Sequence, residues 1–387
     1  MKECDKLIIK IFLFIIYFIF LLYPVNYLLE RKGIIKIDNS SEIEDIHKHG
    51  LIGKLESIKS SIENKTTNYF PFYSLINQFN TNMHIDINTP FYKFLNKEFL
   101  FVGTNYDNEY IYKNINSNYY ILKSQYNDLE LYKKLDSQIK LYNELAKEKL
   151  DIYVYLPSRY EFIYKTELDT KNMSNYIEYF KENINNKINL KELSIENNYH
   201  ELFYKTDHHW TGYGALKGYS DIMEMMNIKP VNYEVKKIDN TLFSGSMAKS
   251  AADTSIKEDF YYIDAIVTCK TNINDRLKPM KKEPKKKQFY DYYVGYYYGM
   301  FGEVSYDCNS PKKDNVLILG DSFSWSIDYL IAKHFNKTYV VNLKFLDKFD
   351  YKNFINKNNI KKVIIINETA TTLFDAYNYD YSKKVGA

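Results

Sequence analysis

Two short segments of this chain carry the side-chain types that acyl chemistry needs. The first is Thr206-Asp207-His208-His209-Trp210-Thr211 and the second is Gly320-Asp321-Ser322-Phe323-Ser324. A serine hydroxyl is a weak nucleophile until a base takes its proton, and histidine is the usual base. A carboxylate beside that histidine sets its tautomer and stabilises its cation. On an extended segment residues i and i+2 face one side, so Asp207 and His209 are expected to point together and His208 away. Ser322 belongs to a Gly-Asp-Ser motif that directly follows the apolar run VLIL and directly precedes a helical pattern. It therefore falls at a strand C-terminus and a helix N-terminus, where backbone N–H groups favour an oxyanion. The plain alternatives are capping by Asp321 or Ser322 and a polar turn around two structural histidines.

Other chemistries fit less well. The chain contains neither GxxxxGK[ST] nor GxGxxG, the phosphate-cradling patterns. Asp207-His208-His209 matches the metal-binding triplet of the DHH phosphoesterases, but the further aspartates of that constellation have no counterpart. A zinc site on the two histidines would need more ligands at workable spacing. No metal and no cofactor is expected.

The elements that must position these residues read as an α/β core. FLFVGTNYDNEYIYKN (99–114) reads as two strands joined around Gly103 to Asp107. Leu129, Leu131, Leu135, Ile139, Leu141 and Leu145 form an apolar stripe on a helix over about 128–149. The strand DIYVYLP follows. ELFYKT reads as a strand leading into Asp207, and GYGALKGYSDIMEMM as the helix after it. The last quarter alternates NVLIL, a helix from Ser322 to about Phe335, KTYVVNL, the helix DYKNFINKNN, and KKVIIIN. Such continuous apolar strands are buried on both faces, as in a parallel sheet covered by helices. Sites in such sheets lie at the strand C-terminal edge.

The start of the chain reads differently. Leu7 to Leu29 is apolar apart from Lys10, Pro24, Asn26 and tyrosines, with an unbroken core from Ile11 to Tyr23. A membrane-spanning helix needs ~20 apolar residues, reached here if Lys10 snorkels. No small-residue cleavage site follows, so an uncleaved signal anchor is expected over 1–30. Residues 31–98 read as a membrane-proximal helical segment that includes LIGKLESIKSSIE and FPFYSLINQFN, and 99–387 as the catalytic domain. Lysines and arginines flank the anchor on both sides, so its orientation is not set by charge.

Composition bounds the rest. Lys+Arg total 52 against Asp+Glu 49, a net charge of +3, which gives no general face for nucleic acid. The basic segment 270–288 reads as a solvated loop, with a contact to anionic lipid or polymer as the alternative. Three cysteines cannot build a disulfide scaffold. Cys4 precedes the apolar run, and whether Cys269 and Cys308 pair stays open. The 40 tyrosines fit a compositional bias, with a sugar-stacking surface as the alternative.

Asp-His-His-Trp followed late in the chain by GDSF resembles the bacterial DHHW proteins, similar to the AlgX/AlgJ-like polysaccharide O-acetyltransferases of the SGNH hydrolase superfamily. In that branch Asp-x-His precedes GDS, as it does here. The resemblance extends to Pro157-Ser158-Arg159, Phe243-Ser244-Gly245-Ser246 and FPFY at 70–73. It implies an SGNH-like three-layer α/β/α fold and a triad of Ser322, His209 and Asp207. Ser322 and Gly245 would then be the oxyanion donors. It implies O-acetyl transfer to a cell-surface polysaccharide, or hydrolysis by the same residues, by a single-pass membrane protein with its catalytic domain extracytoplasmic. A membrane-bound O-acyltransferase partner supplying acetyl groups is implied by the same analogy. A non-catalytic polysaccharide-binding wall protein is the reading of a different class.

Overall fold

A computed structural model describes residues 73–105, 109–123, 128–169, 173–195, 199–238, 243–253, 255–266, 269–273, 291–297, 301–346 and 348–374. The expected anchor, the first of the two short helices and the FPF of FPFY lie outside these residues. So does most of the basic segment. Among the described residues no helix is long and apolar enough to cross a membrane. The chain divides into two compact units, Met1–His84 and Ile85–Ala387. Of the segment 31–98, the described part is mainly one helix, α1 (Tyr73–Phe94).

A seven-stranded, mainly parallel sheet carries the second unit. Its strands are β4 (Asp151–Leu156), β5 (Ile188–Glu192), β8 (Lys270–Thr271), β9 (Glu303–Asp307), β10 (Asn315–Gly320), β11 (Lys337–Val341) and β12 (Ile360–Ile366), in the order β5-β4-β12-β10-β11-β9-β8. The pairs from β5 to β11 are parallel, and β9 and β8 close one edge antiparallel. Successive side chains of a strand point to opposite faces, and both faces are apolar here. Val316, Ile318, Ile364 and Ile366 enter one core cluster. Leu317, Leu319, Val363 and Ile365 enter the other. Each such side chain contributes ~1.5–3 kcal/mol on burial.

Helices cover both faces, giving three layers. On the second face lie α2 (Asp128–Leu145), α3 (Ser174–Asn183), α8 (Tyr351–Lys357) and α9 (Thr369–Phe374). On the first lie α4 (Gly212–Met225), α6 (Tyr292–Tyr297) and α7 (Asp328–Ala332). The α2 stripe is buried as expected except Leu129, which is exposed. A separate antiparallel sheet of β1 (Phe99–Thr104), β2 (Tyr110–Asn114) and β3 (Tyr119–Lys123) packs on the short helix α5 (Ser246–Ser250). Gly103, at φ +152°, sits where the β1–β2 register shifts, a bulge conformation open to glycine. A two-stranded ribbon, β6 (Glu234–Lys237) and β7 (Tyr261–Asp264), completes the strands.

Two expected elements differ. ELFYKT is not a strand. Tyr199–Leu202 is a single helical turn, and Phe203 bridges Trp210 to close a tight loop over 204–209. The helix expected over 322–335 is a 3₁₀ turn (Ser322–Ser326) followed by α7. Ser324 Oγ and Ser326 Oγ donate to the carbonyls of Asp321 and Phe323 at 2.8 and 3.1 Å. Such i−3 bonds from serine tighten the turn. Cys269 and Cys308 form a disulfide.

Candidate active site

The loop 204–209 is shaped by its own polar residues. Asp207 Oδ1 accepts the His209 N–H at 2.9 Å, a turn closed two residues on. The Thr206 carbonyl accepts the N–H groups of Met247 and Ala248, and Asp207 Oδ2 accepts that of Ser246 at 2.7 Å. The first turn of α5 thus spends its unpaired donors on this loop. Glu258 holds the other side, accepting from Lys205 N–H, Thr206 N–H and Thr206 Oγ1 at 2.8, 2.8 and 2.5 Å.

The second segment lies at the C-terminal end of the central strand β10. Asp321 Oδ1 accepts the Phe323 N–H at 2.9 Å, and Oδ2 accepts the Glu368 N–H at 2.7 Å. Asp321 is therefore the cap of the turn and ties it to the end of β12. Burial pushes its carboxyl up to about 6 despite those two bonds. Ser322, first in the turn, has an N–H without an intrahelical acceptor, and its side chain is partly exposed.

The two segments meet in a line of three residues. Ser322 Oγ lies 2.7 Å from His209 Nε2, and His209 Nδ1 lies 2.6 Å from Asp207 Oδ1. Burial raises the Asp207 carboxyl, but the His209 charge and hydrogen bonds outweigh it and hold its pKa far below the usual range. An ionised carboxylate only accepts, so His209 Nδ1 carries the proton and Nε2 is left to accept the Ser322 hydroxyl proton. The donor atoms of Asp207, His208 and His209 lie within 4.8 Å of one another. Here they are engaged with each other and with serines.

His208 does not point away as the extended reading expected, because the turn at Asp207 replaces the strand. Its ring lies 3.9 Å from that of His209, and its Nδ1 pairs with Ser246 Oγ at 2.8 Å. Burial, reinforced by the His209 charge, pushes its pKa down to about 3, so it is neutral beside the base. Gly245 also needs correction. Its N–H donates to Thr206 Oγ1 at 2.9 Å and is not available to an oxyanion. Its place is steric: a Cβ there would meet Asp207 Cβ at 2.3 Å. Ser322 keeps its place as the expected N–H donor.

Three supporting features were not assigned a role from sequence. Trp210 is fully buried, and its Nε1 donates to Ser326 Oγ at 2.7 Å, linking the two segments. Its ring fills space left by Gly218, where a Cβ would lie 2.6 Å from it, and a Cβ at Gly214 would lie 2.9 Å from the Trp210 Cβ. The Gly-x-Gly-x-x-x-Gly run after Trp210 was the available signal. Arg159, in the expected Pro-Ser-Arg segment, is buried and reaches Glu109 at 3.0 and 2.6 Å, Glu161 at 2.8 Å and Glu368 at 3.4 Å. It joins the β1–β2 turn to the ends of β4 and β12 beside the site. Tyr293 on α6 stacks on His209 with centroids 3.9 Å apart and planes 8° from parallel.

No family model matches the sequence, and no curated protein matches it. Solved structures do share its fold. Bacillus cereus PatB1 with a sulfonyl adduct matches at a TM-score of 0.55 and 18% identity, covering 69% of this chain and 98% of that one. A second PatB1 structure matches at 0.52 and 18%, covering 69% and 99%. A DHHW family protein from Eubacterium siraeum matches at 0.56 and 15%, covering 74% and 98%. The three-layer α/β unit is thus of the same fold as these proteins.

Proposed function

We propose that the chain is a membrane-anchored, extracytoplasmic SGNH-like O-acetyltransferase acting on a cell-surface polysaccharide. The observation that carries this reading is the line Ser322–His209–Asp207, with contacts of 2.7 and 2.6 Å. Ser322 Oγ attacks the carbonyl carbon of an acetyl ester while His209 Nε2 takes its proton. Asp207 holds the imidazolium that forms, and the Ser322 N–H faces the developing oxyanion. The tetrahedral species collapses, and the leaving alcohol departs with the proton from His209. Acetyl-Ser322 remains. A sugar hydroxyl then attacks it, gives its proton to His209 and carries the acetyl away, and the proton returns to Ser322. Water in place of the sugar would make the chain an acetylesterase.

The motif resemblance to DHHW proteins supports transfer. The disulfide between Cys269 and Cys308 supports an oxidising compartment for this unit, in line with an extracytoplasmic domain held by the expected anchor over 1–30. There a membrane-bound O-acyltransferase would supply the acetyl group. The binding-protein reading has less support. Tyr155, Tyr204, Tyr219 and Tyr329 are core side chains, so part of the tyrosine excess builds the interior. The test is incubation of the full chain with p-nitrophenyl acetate, with and without oligosaccharide acceptors. Mass spectrometry then looks for an acetyl adduct on Ser322. Neither adduct nor turnover that Ser322→Ala abolishes would leave the binding protein standing.

A further inference from the structure

His209 makes one hydrogen bond at each ring nitrogen, and the N–H and lone-pair directions of an imidazole lie in its ring plane. Two such bonds fix the ring along one axis. They leave it free to tilt about that axis and to move along its normal. A base that must meet Ser322 Oγ repeatedly, first neutral and then charged, needs its faces held as well. Two side chains do this. Tyr293 lies parallel to the imidazole at 3.9 Å and 8°. His208 lies at 3.9 Å and 36°. Two rings cannot both occupy one face at that distance, so they sandwich the base.

The two faces are not equivalent. A tyrosine face attracts a cation within ~6 Å of its centroid. The neutral His208 adds no opposing charge. Tyr293 therefore favours the imidazolium that exists only after proton transfer. Its hydroxyl works on the other partner. It donates to the Ser322 carbonyl at 3.1 Å and lies 3.3 Å from Ser326 Oγ. One buried side chain thus contacts the base by its ring and the backbone of the nucleophile by its hydroxyl.

We propose that Tyr293 is a positioning residue for the reaction at Ser322, aligning His209 with the nucleophile and stabilising its charged form. This rests on the function proposed above and adds a residue to it. The test uses the full chain and p-nitrophenyl acetate, with active sites counted by the burst of p-nitrophenol so that only folded, acylable molecules enter the rate. Tyr293→Leu removes ring and hydroxyl. It is expected to lower kcat per active site by about 10- to 100-fold, the scale of a small misplacement of a catalytic group. KM should hold, because the interaction strengthens only as charge develops. Tyr293→Phe restores the ring and should recover most of the loss, leaving about 2- to 10-fold for the missing hydrogen bond. A purely structural tyrosine would lower the number of active sites and the melting temperature while kcat per site stayed at the wild-type value. That result for Tyr293→Leu overturns the proposal, as does a Phe variant no better than Leu. A wild-type chain without Ser322-dependent turnover overturns the function itself, and this role with it.

Discussion

Replacing Gly245 with alanine should disable the site without touching any group that reacts. Gly245 has φ −80°, so alanine meets no backbone strain there. The obstacle is Asp207. An added Cβ would lie 2.3 Å from Asp207 Cβ, 2.5 Å from Oδ2 and 2.8 Å from Cγ. Restoring an ordinary contact of 3.4 Å needs a separation of about 1.1 Å between the two segments. The Ser246 N–H bond to Oδ2, 2.7 Å long, cannot survive that movement unchanged. Nor can the 2.6 Å contact that orients His209. A misplacement of ~1 Å costs about 10²-fold in rate, and overpacking costs about 1–3 kcal/mol of stability. Gly245→Ala should therefore lose about 10²-fold in kcat on an acetyl ester while circular dichroism shows a folded protein. The backbone N–H is present in both residues, so loss of an oxyanion donor cannot explain such a fall. Wild-type kcat in the alanine variant would refute the argument that close approach to Asp207 is what this glycine provides.

The remaining predictions concern the base, the pH response and the disulfide. His209→Ala should cost several orders of magnitude in turnover and Asp207→Asn about 10⁴-fold. His208→Ala should cost much less, and an inactive His208→Ala beside an active His209→Ala would move the base by one residue. Burial raises the Glu368 carboxyl to about 7 from its ordinary 4.5, the attraction of Arg159 opposing it. The unfolded chain therefore gives up this proton before the folded one does, and stability should fall as pH rises from about 4.5 to about 7. Glu368→Gln should flatten that slope in urea titrations across the window, and an unchanged slope would discount the group. The disulfide spans a separation of 39 residues, which chain entropy values at about 4 kcal/mol. Urea midpoints of Cys269→Ala/Cys308→Ala and wild type should differ accordingly, and equal midpoints would show that the bridge adds nothing.

The layered core was legible because its strands are short, continuous, largely β-branched runs such as VLIL and VIII between turn signals, the pattern of a sheet buried on both faces. Ser322, His209 and Asp207 were legible as residue types, and the structure brings them together. The path of the chain through them was not. The i, i+2 argument paired Asp207 with His209, but through a strand that does not exist. Asp207 turns the backbone by accepting the His209 N–H, a local bond that outcompetes extension. The same competition, by Ser324 and Ser326, turned an expected helix into a 3₁₀ turn. Gly245 was read as a donor because sequence shows a glycine and not what stands 2.3 Å from its missing Cβ. Tyr293 sits in DYYVGYYYG, where neighbouring tyrosines are indistinguishable until one is seen against His209.

The bond from Trp210 to Ser326 has a mechanical consequence. Base and nucleophile come from segments more than a hundred residues apart, and a sheet that breathes would ordinarily let them drift. Trp210 follows the base directly, and Ser326 stands four residues beyond the nucleophile. A buried indole gripping the far side of that turn makes the two segments one body. The position of the base loop is thereby tied to that of the turn that carries the nucleophile.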